Sequence, residues 1–280
     1  NQSQTVFWLC HQLLKGGLSM KTLQVKIGEH HIKLLSPYMH LLSKFREEYE
    51  IPKGNKRVKP DLLIYLESGY GTSFLNYEVA HFREDGNIIF RRADYQIVVD
   101  RDYKVAKLYF HDDLALKHAM MNLYSSFIVY HNWGLLIHSS AVVNESKAFI
   151  FAGQSGAGKS TSAKLSMPRT ILSDEAAIVK IDKGKATVYH SPFRSEIKPT
   201  NLTEYSPVEG IYLLQQSLDI HKHSIKKSDA FLLLMDKVFY WSKEAEDTKK
   251  IVSLLKNLVN LTPVHQLYFQ KNDKFWEVIS

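Results

Sequence analysis

Eight consecutive residues constrain this chain more than any other feature: Gly153, Gln154, Ser155, Gly156, Ala157, Gly158, Lys159 and Ser160. Glycines at the first, fourth and sixth places let backbone N–H groups turn inward on a phosphate, where side chains would block the approach. The lysine then supplies a cation for the terminal phosphates, and the serine hydroxyl an oxygen for Mg²⁺. Such a P-loop, or Walker A loop, works between a strand and a helix. Here the apolar run Ala148–Ala152 leads into it, and Ser160–Leu165 continues as a helix that Pro168 stops. The reading is an ATP-binding phosphotransferase, with nucleotide contacts from Gly153 through Thr161 and with ATP and Mg²⁺ as its cofactors.

The residues around the loop extend this reading. Ile137, His138, Ser139 and Ser140, followed by Val142–Ala148, read as strand, turn, strand. A turn centred on Glu145 sets His138 opposite Ala152, at the mouth of the loop. There the imidazole either bonds a phosphate or the acceptor hydroxyl, or is a core histidine bonded to backbone. Beyond the helix, Thr170–Leu172 is a short strand ending in Ser173, Asp174 and Glu175, which brings two carboxylates beside the phosphates. Phosphoryl transfer needs one acid to help hold Mg²⁺ and one to orient or deprotonate the acceptor. Asp174 and Glu175 divide these roles if the strand has already ended, because successive strand side chains point to opposite faces. The alternative is a structural acidic turn.

Elsewhere the chain is less specific. With 280 residues, 45% of them hydrophobic, it buries a sizeable core. The net charge of +7 comes from scattered basic residues without an arginine-rich stripe, so no nucleic-acid partner is expected. No apolar run is long enough to span a bilayer, and Asn1–Gly17 lacks a secretory signal's features, so no membrane partner and a cytoplasmic location are expected. The single cysteine, Cys10, excludes an internal disulfide. Residues 1–19 read as an N-terminal extension with a short amphipathic helix around Val6–Leu9, ahead of a folded domain starting at Met20. Residues 20–110 read as an antiparallel, β-rich lobe, and 111–280 as the P-loop domain. That domain opens on a helix from His111 towards Gly134. It closes on a buried strand at Phe231–Met235, an amphipathic helix with Ile251, Leu254, Leu255, Leu258 and Val259 on one face, and a strand at Val264–Phe269. The histidines are too scattered for a metal site; His30, His31, His221 and His223 read as solvated.

The order of features from Ile137 to Val179 resembles the catalytic domain of the HPr kinase/phosphorylase family: a histidine-bearing strand, a hairpin, the P-loop, a short helix and an acidic pair at a strand end. The resemblance implies an α/β fold class, a phosphoenolpyruvate-carboxykinase-like P-loop catalytic domain with a β-rich N-terminal lobe. It implies Asp174 as general base towards a serine hydroxyl, Lys159 and His138 as catalytic partners, and Ser160, Glu175 and Asp174 at the metal. Glu175 departs from the family's usual second aspartate. His190–Glu196 follows a strand, as substrate-contacting residues do in relatives, with Arg194 and Glu196 either contacting substrate or forming a surface ion pair. The family's long glycine-containing signature is absent there, so HPr is not the expected substrate. The chain is more similar to divergent members, including kinases of a lasso-peptide precursor serine, which share an ending like Phe275, Trp276 and Glu277. The expected partner is a peptide or protein serine substrate. The alternatives are a kinase of a small hydroxylated metabolite such as free serine, and a non-catalytic nucleotide-binding regulator. The family forms rings, which admits a homo-oligomer.

Overall fold

A computed structural model describes residues 19–48, 58–198 and 203–280. The amphipathic helix expected at Val6–Leu9, and Cys10, lie outside them. The chain divides into two compact units, one ending at Met120 and one beginning at Met121. It is a mixed α/β protein with two sheets.

Among the described residues the first unit holds seven strands: β1 (Lys21–Ile27), β2 (His30–Ser36), β3 (Leu62–Ser68), β4 (Ala80–Glu84), β5 (Asn87–Arg91), β6 (Tyr95–Asp100) and β7 (Val105–Phe110), with helix α1 (Met39–Glu48) between β2 and β3. Their order across the sheet is β1-β2-β3-β7-β6-β5-β4. At the β4–β5 turn Asp85 and Gly86 both take positive φ, 49° and 78°, which matches the twist of a tight hairpin. The lobe is not the antiparallel sheet expected. β2 with β3 and β3 with β7 pair in parallel, because the chain returns through α1 and then through the β4–β6 meander. His30 and His31 sit half-buried within β2 rather than on a solvated face.

Helix α2 (Asp113–Tyr130) starts where the Asp112 carboxylate accepts the Ala115 amide at 2.9 Å. The second unit then builds an eight-stranded sheet from β8 (Gly134–Asn144), β9 (Lys147–Ala152), β10 (Thr170–Ser173), β11 (Ala176–Asp182), β12 (Lys185–Tyr189), β13 (Tyr205–Gln216), β14 (His221–Ser224) and β15 (Val264–Phe269). Its helices are α3 (Lys159–Leu165), α4 (Lys227–Met235), α5 (Ala245–Leu261) and α6 (Trp276–Ile279). At its centre β9, β13 and β15 run parallel, with Ile150 beside Ile211 and Ile211 beside Val264. Strands covered on both faces read as continuous apolar runs, as Ala148–Ala152 does.

Alternation along β9 assigns the two faces. Ala148, Ile150 and Ala152 pack with the α5 stripe of Ile251, Leu254, Leu255, Leu258 and Val259, while Phe149 and Phe151 pack with Phe269, Phe275, Trp276 and the α3 residue Ala163. Phe231–Met235 is the end of helix α4, not a buried strand. A short apolar run cannot be told from a helix by periodicity, and here Leu232 and Leu233 face outward while Ala230 and Leu234 are buried. Among the described residues no helix is long and apolar enough to cross a membrane.

Truncating Leu255→Ala, at a fully buried position on α5, should lower unfolding free energy by about 2–5 kcal/mol. Leu232→Ala, on the exposed face of α4, should change it by less than about 0.5 kcal/mol. Urea titration of both variants checks the contrast; a large loss at Leu232 would contradict the helical assignment.

Candidate functional site

Strand β8 organises the site because both of its edges are used twice. β10 and β11 follow one another along one edge, opposite Ala141–Val143 and Gly134–His138 respectively. The other edge therefore carries β9 against Ser139–Asn144 and, where β9 ends, the segment Lys237–Phe239, which bridges Ile137 to Val238. The β8–β9 turn uses both Glu145 and Ser146 at positive φ, 48° and 64°, so Asn144 pairs with Lys147. That two-residue turn moves the register by one from the expected pairing: Ser139, not His138, lies opposite Ala152. His138 pairs across to Ala176, donates its amide to the Lys237 carbonyl at 2.7 Å and sets its ring against Phe239, tilted by 38° with centroids 5.2 Å apart.

From Ala152 the chain enters the glycine loop. Gly158 has φ 111°, and a Cβ there would meet the Phe269 ring at 2.6 Å; a Cβ on Gly153 would meet Ala157 at 2.7 Å. These two positions admit no side chain, one for backbone strain and contact, the other for contact alone. The Lys159 ammonium donates back to the carbonyls of Gly153 at 3.1 Å and Gln154 at 2.9 Å. Its own carbonyl accepts from Ser140 Oγ at 2.8 Å and Ser162 Oγ at 2.7 Å, tying α3 to β8. The clasp continues to the C-terminal end, where Trp276 Nε1 donates to Ser166 Oγ at 3.0 Å and Ser166 Oγ to the Ser162 carbonyl at 2.6 Å. Beside the loop lies a cavity of about 560 Å³, with Gly153–Ala157 on one side and Leu232, Leu233, Asp236 and Lys237 on the other.

The acidic pair splits. β10 ends at Ser173, and the Asp174 side chain, 1% exposed, turns to the segment after β12. It accepts the amides of Ser195, Glu196 and Ile197 at 3.2, 2.9 and 2.9 Å and the Ser195 hydroxyl at 3.1 Å. Its backbone carbonyl is what meets the loop, accepting Ser160 Oγ at 3.3 Å. The Glu175 charge acts on Lys159, whose pKa is held below the lysine range first by burial and then by Lys237, with Glu175 opposing both. Arg194 does not pair with Glu196. Burial lowers its pKa, and its guanidinium donates to the carbonyls of Ile171 at 2.8 Å, Leu172 at 3.2 Å, Ser191 at 3.1 Å and Ile197 at 3.2 Å, while Glu196 meets Lys164. Arg194 thus stitches the 191–197 segment to β10, and Asp174 holds the same segment from its other side.

Sequence reasoning missed Asp236 and Lys237. No motif marks them, and the misread helix before them hid that the chain turns back onto β8 at this point. Among the described residues no group of three or more His, Cys, Asp or Glu side chains could hold a metal ion. Ser160 and Glu175 are the residues that could hold Mg²⁺, which takes most of its ligands from phosphates and water.

The sequence matches the family of the SynChlorMet cassette protein ScmC over residues 106–280. Among solved structures the chain is similar to the Hpr(Ser) kinase/phosphatase from Coxiella burnetii at 10% identity and a TM-score of 0.29, over 48% of this chain and 84% of that one. A likeness that low carries no argument about fold or activity. No curated protein matches the chain.

Burial lowers His138 and His190 to about 4, aided by Lys159 and Lys237 at the first and Arg194 at the second. Each binds a proton less readily folded than unfolded, so the unfolded state holds more protons between about pH 4 and 6.5. Stability should therefore be complete above pH 6.5 and fall as pH drops towards 4. Urea midpoints measured across this range check it, and His190→Asn should flatten the slope.

Proposed function

The chain belongs to the ScmC family, and we propose that it is an ATP-dependent kinase that transfers the γ-phosphoryl group to a serine hydroxyl of a peptide or protein. The observation that carries this reading is the loop Gly153–Ser160, where Gly156 and Gly158 take left-handed backbone and no side chain fits at Gly153 or Gly158, the backbone form that phosphate-cradling loops require. On this reading Lys159 exchanges its two bonds to the loop carbonyls for the terminal phosphates. Mg²⁺, when bound, neutralises charge on the transferring group, with Ser160 and Glu175 as its protein ligands. His138 is neutral and serves as a hydrogen-bonding group rather than a cation. Asp174 receives the acceptor proton. The Ser195 hydroxyl already donates to its carboxylate at 3.1 Å, which is the bond an acceptor serine makes to a base. The acceptor hydroxyl would take the place of the Ser195 hydroxyl, while the amides of Ser195, Glu196 and Ile197 keep the carboxylate aimed.

A second reading rests on the same carboxylate. With four donors and 1% exposure, Asp174 is also suited to a purely structural role, and the chain would then be a nucleotide-binding regulator without transfer.

Mass spectrometry after incubation with ATP, Mg²⁺, serine-containing peptides and free serine separates these readings. A gain of one phosphate on a peptide is expected, falling at least about a hundredfold in Lys159→Met. Phosphate on free serine alone would transfer the reading to a metabolite kinase. ATP binding without any product would favour the regulator, and turnover that survives Lys159→Met would sink the phosphate-loop assignment.

A further inference from the structure

Lys237 answers to no motif, yet its surroundings set it apart from the surface lysines. It is 8% exposed, and among the described residues its ammonium meets the neighbouring Asp236 carboxylate, at 2.5 Å. That partner side chain is 63% exposed, so water screens it and it compensates a buried cation poorly. Topology brings Lys237 to the loop. Its carbonyl accepts the His138 amide, on the β8 edge that β9 vacates after Ala152, so the segment takes up the line that β9 leaves on entering Gly153. Lys237 and Asp236 line the same cavity as Gly153–Ala157. The 2.7 Å bond from the His138 amide to the Lys237 carbonyl fixes this segment beside the mouth of the loop.

Lys159, bonded to the carbonyls of two residues that line this cavity, and Lys237, which lines it directly, meet little opposing charge there, an arrangement that favours an anion. One exposed acid, Asp236, holds Lys237. A single small anion satisfies one ammonium; a chain of phosphates satisfies both. We propose that Lys237 is a second phosphate-binding residue, which leaves Asp236 to grip, with Lys159, the terminal phosphates of a nucleoside triphosphate. This rests on reading Gly153–Ser160 as a phosphate loop. Asp236 then acts as a placeholder that keeps the cation paired between binding events and swings into solvent when phosphate arrives.

The test is displacement of a fluorescent ATP analogue by ATP and by AMP, from the unaltered chain and from Lys159→Met, Lys237→Met and Lys237→Arg. Every substitution at position 237 keeps the backbone carbonyl that accepts from His138, so the local fold is retained, and unchanged circular dichroism verifies this. Lys237→Met should weaken ATP about tenfold to a hundredfold, the worth of a charged hydrogen bond, and leave AMP unchanged. Lys237→Arg should restore most of the ATP affinity. ATP binding by Lys237→Met equal to that of the unaltered chain, while Lys159→Met is impaired, would overturn the role of Lys237 and leave the loop reading standing. Equal losses for ATP and AMP in Lys237→Met would also overturn it, by marking a structural residue. If Lys159→Met binds ATP as the unaltered chain does, or the unaltered chain binds no nucleotide, the loop reading itself fails and takes this proposal with it.

Discussion

The hydrogen-bond clasp on the Lys159 carbonyl is the interaction on which the candidate site depends. Ser140 reaches it from β8 and Ser162 from the next turn of α3, so one backbone oxygen ties β8, the neighbour of the strand that enters the loop, to the helix after it. Both hydroxyls are buried, so loss of either removes one of the two hydrogen bonds that the Lys159 carbonyl accepts in a dry interior. The clasp fixes the height of the loop above the sheet. Trp276 continues it outward through Ser166 and Ser162, so the C-terminal residues Phe275 and Trp276 close the face of the sheet against which α3 packs.

Electrostatics in this region turn on burial more than on ion pairing. His138, His190, Lys159 and Arg194 all have their pKa values lowered with desolvation as the largest cause. The chain tolerates these groups because each is hydrogen-bonded or neutral, and because backbone carbonyls solvate the guanidinium of Arg194 and the ammonium of Lys159. A site of this kind is a cationic cradle lacking its counter-charge. Its acids are divided: the Asp174 carboxylate is held by the 195–197 amides, while the charge of Glu175 opposes the field at Lys159.

Much of the second unit was legible. The apolar run into the loop, the helix that follows, the α5 stripe and the final strand Val264–Phe269 each carry a local pattern strong enough to survive tertiary context. The failures share one cause. Phe231–Met235 is apolar at every position, so its pattern holds no period, and only packing decides that Ala230 and Leu234 go inward. The parallel pairings of β3 in the first unit depend on which strands meet, a long-range choice that no local window contains.

By itself the sequence determined the loop, since glycine spacing, the lysine and the hydroxyl are chemical identities that any fold must carry along. It also determined that two carboxylates arrive just after the following strand. Only the tertiary structure decided how these parts face one another: that Ser139 rather than His138 sits opposite Ala152, that the 195–197 amides hold Asp174 while Glu175 acts on the loop lysine, and that Lys237 joins from almost eighty residues further along the chain. The reason is that register and strand edges are set by pairing between distant segments. A shift of one residue at a two-residue turn exchanges the faces of every side chain beyond it.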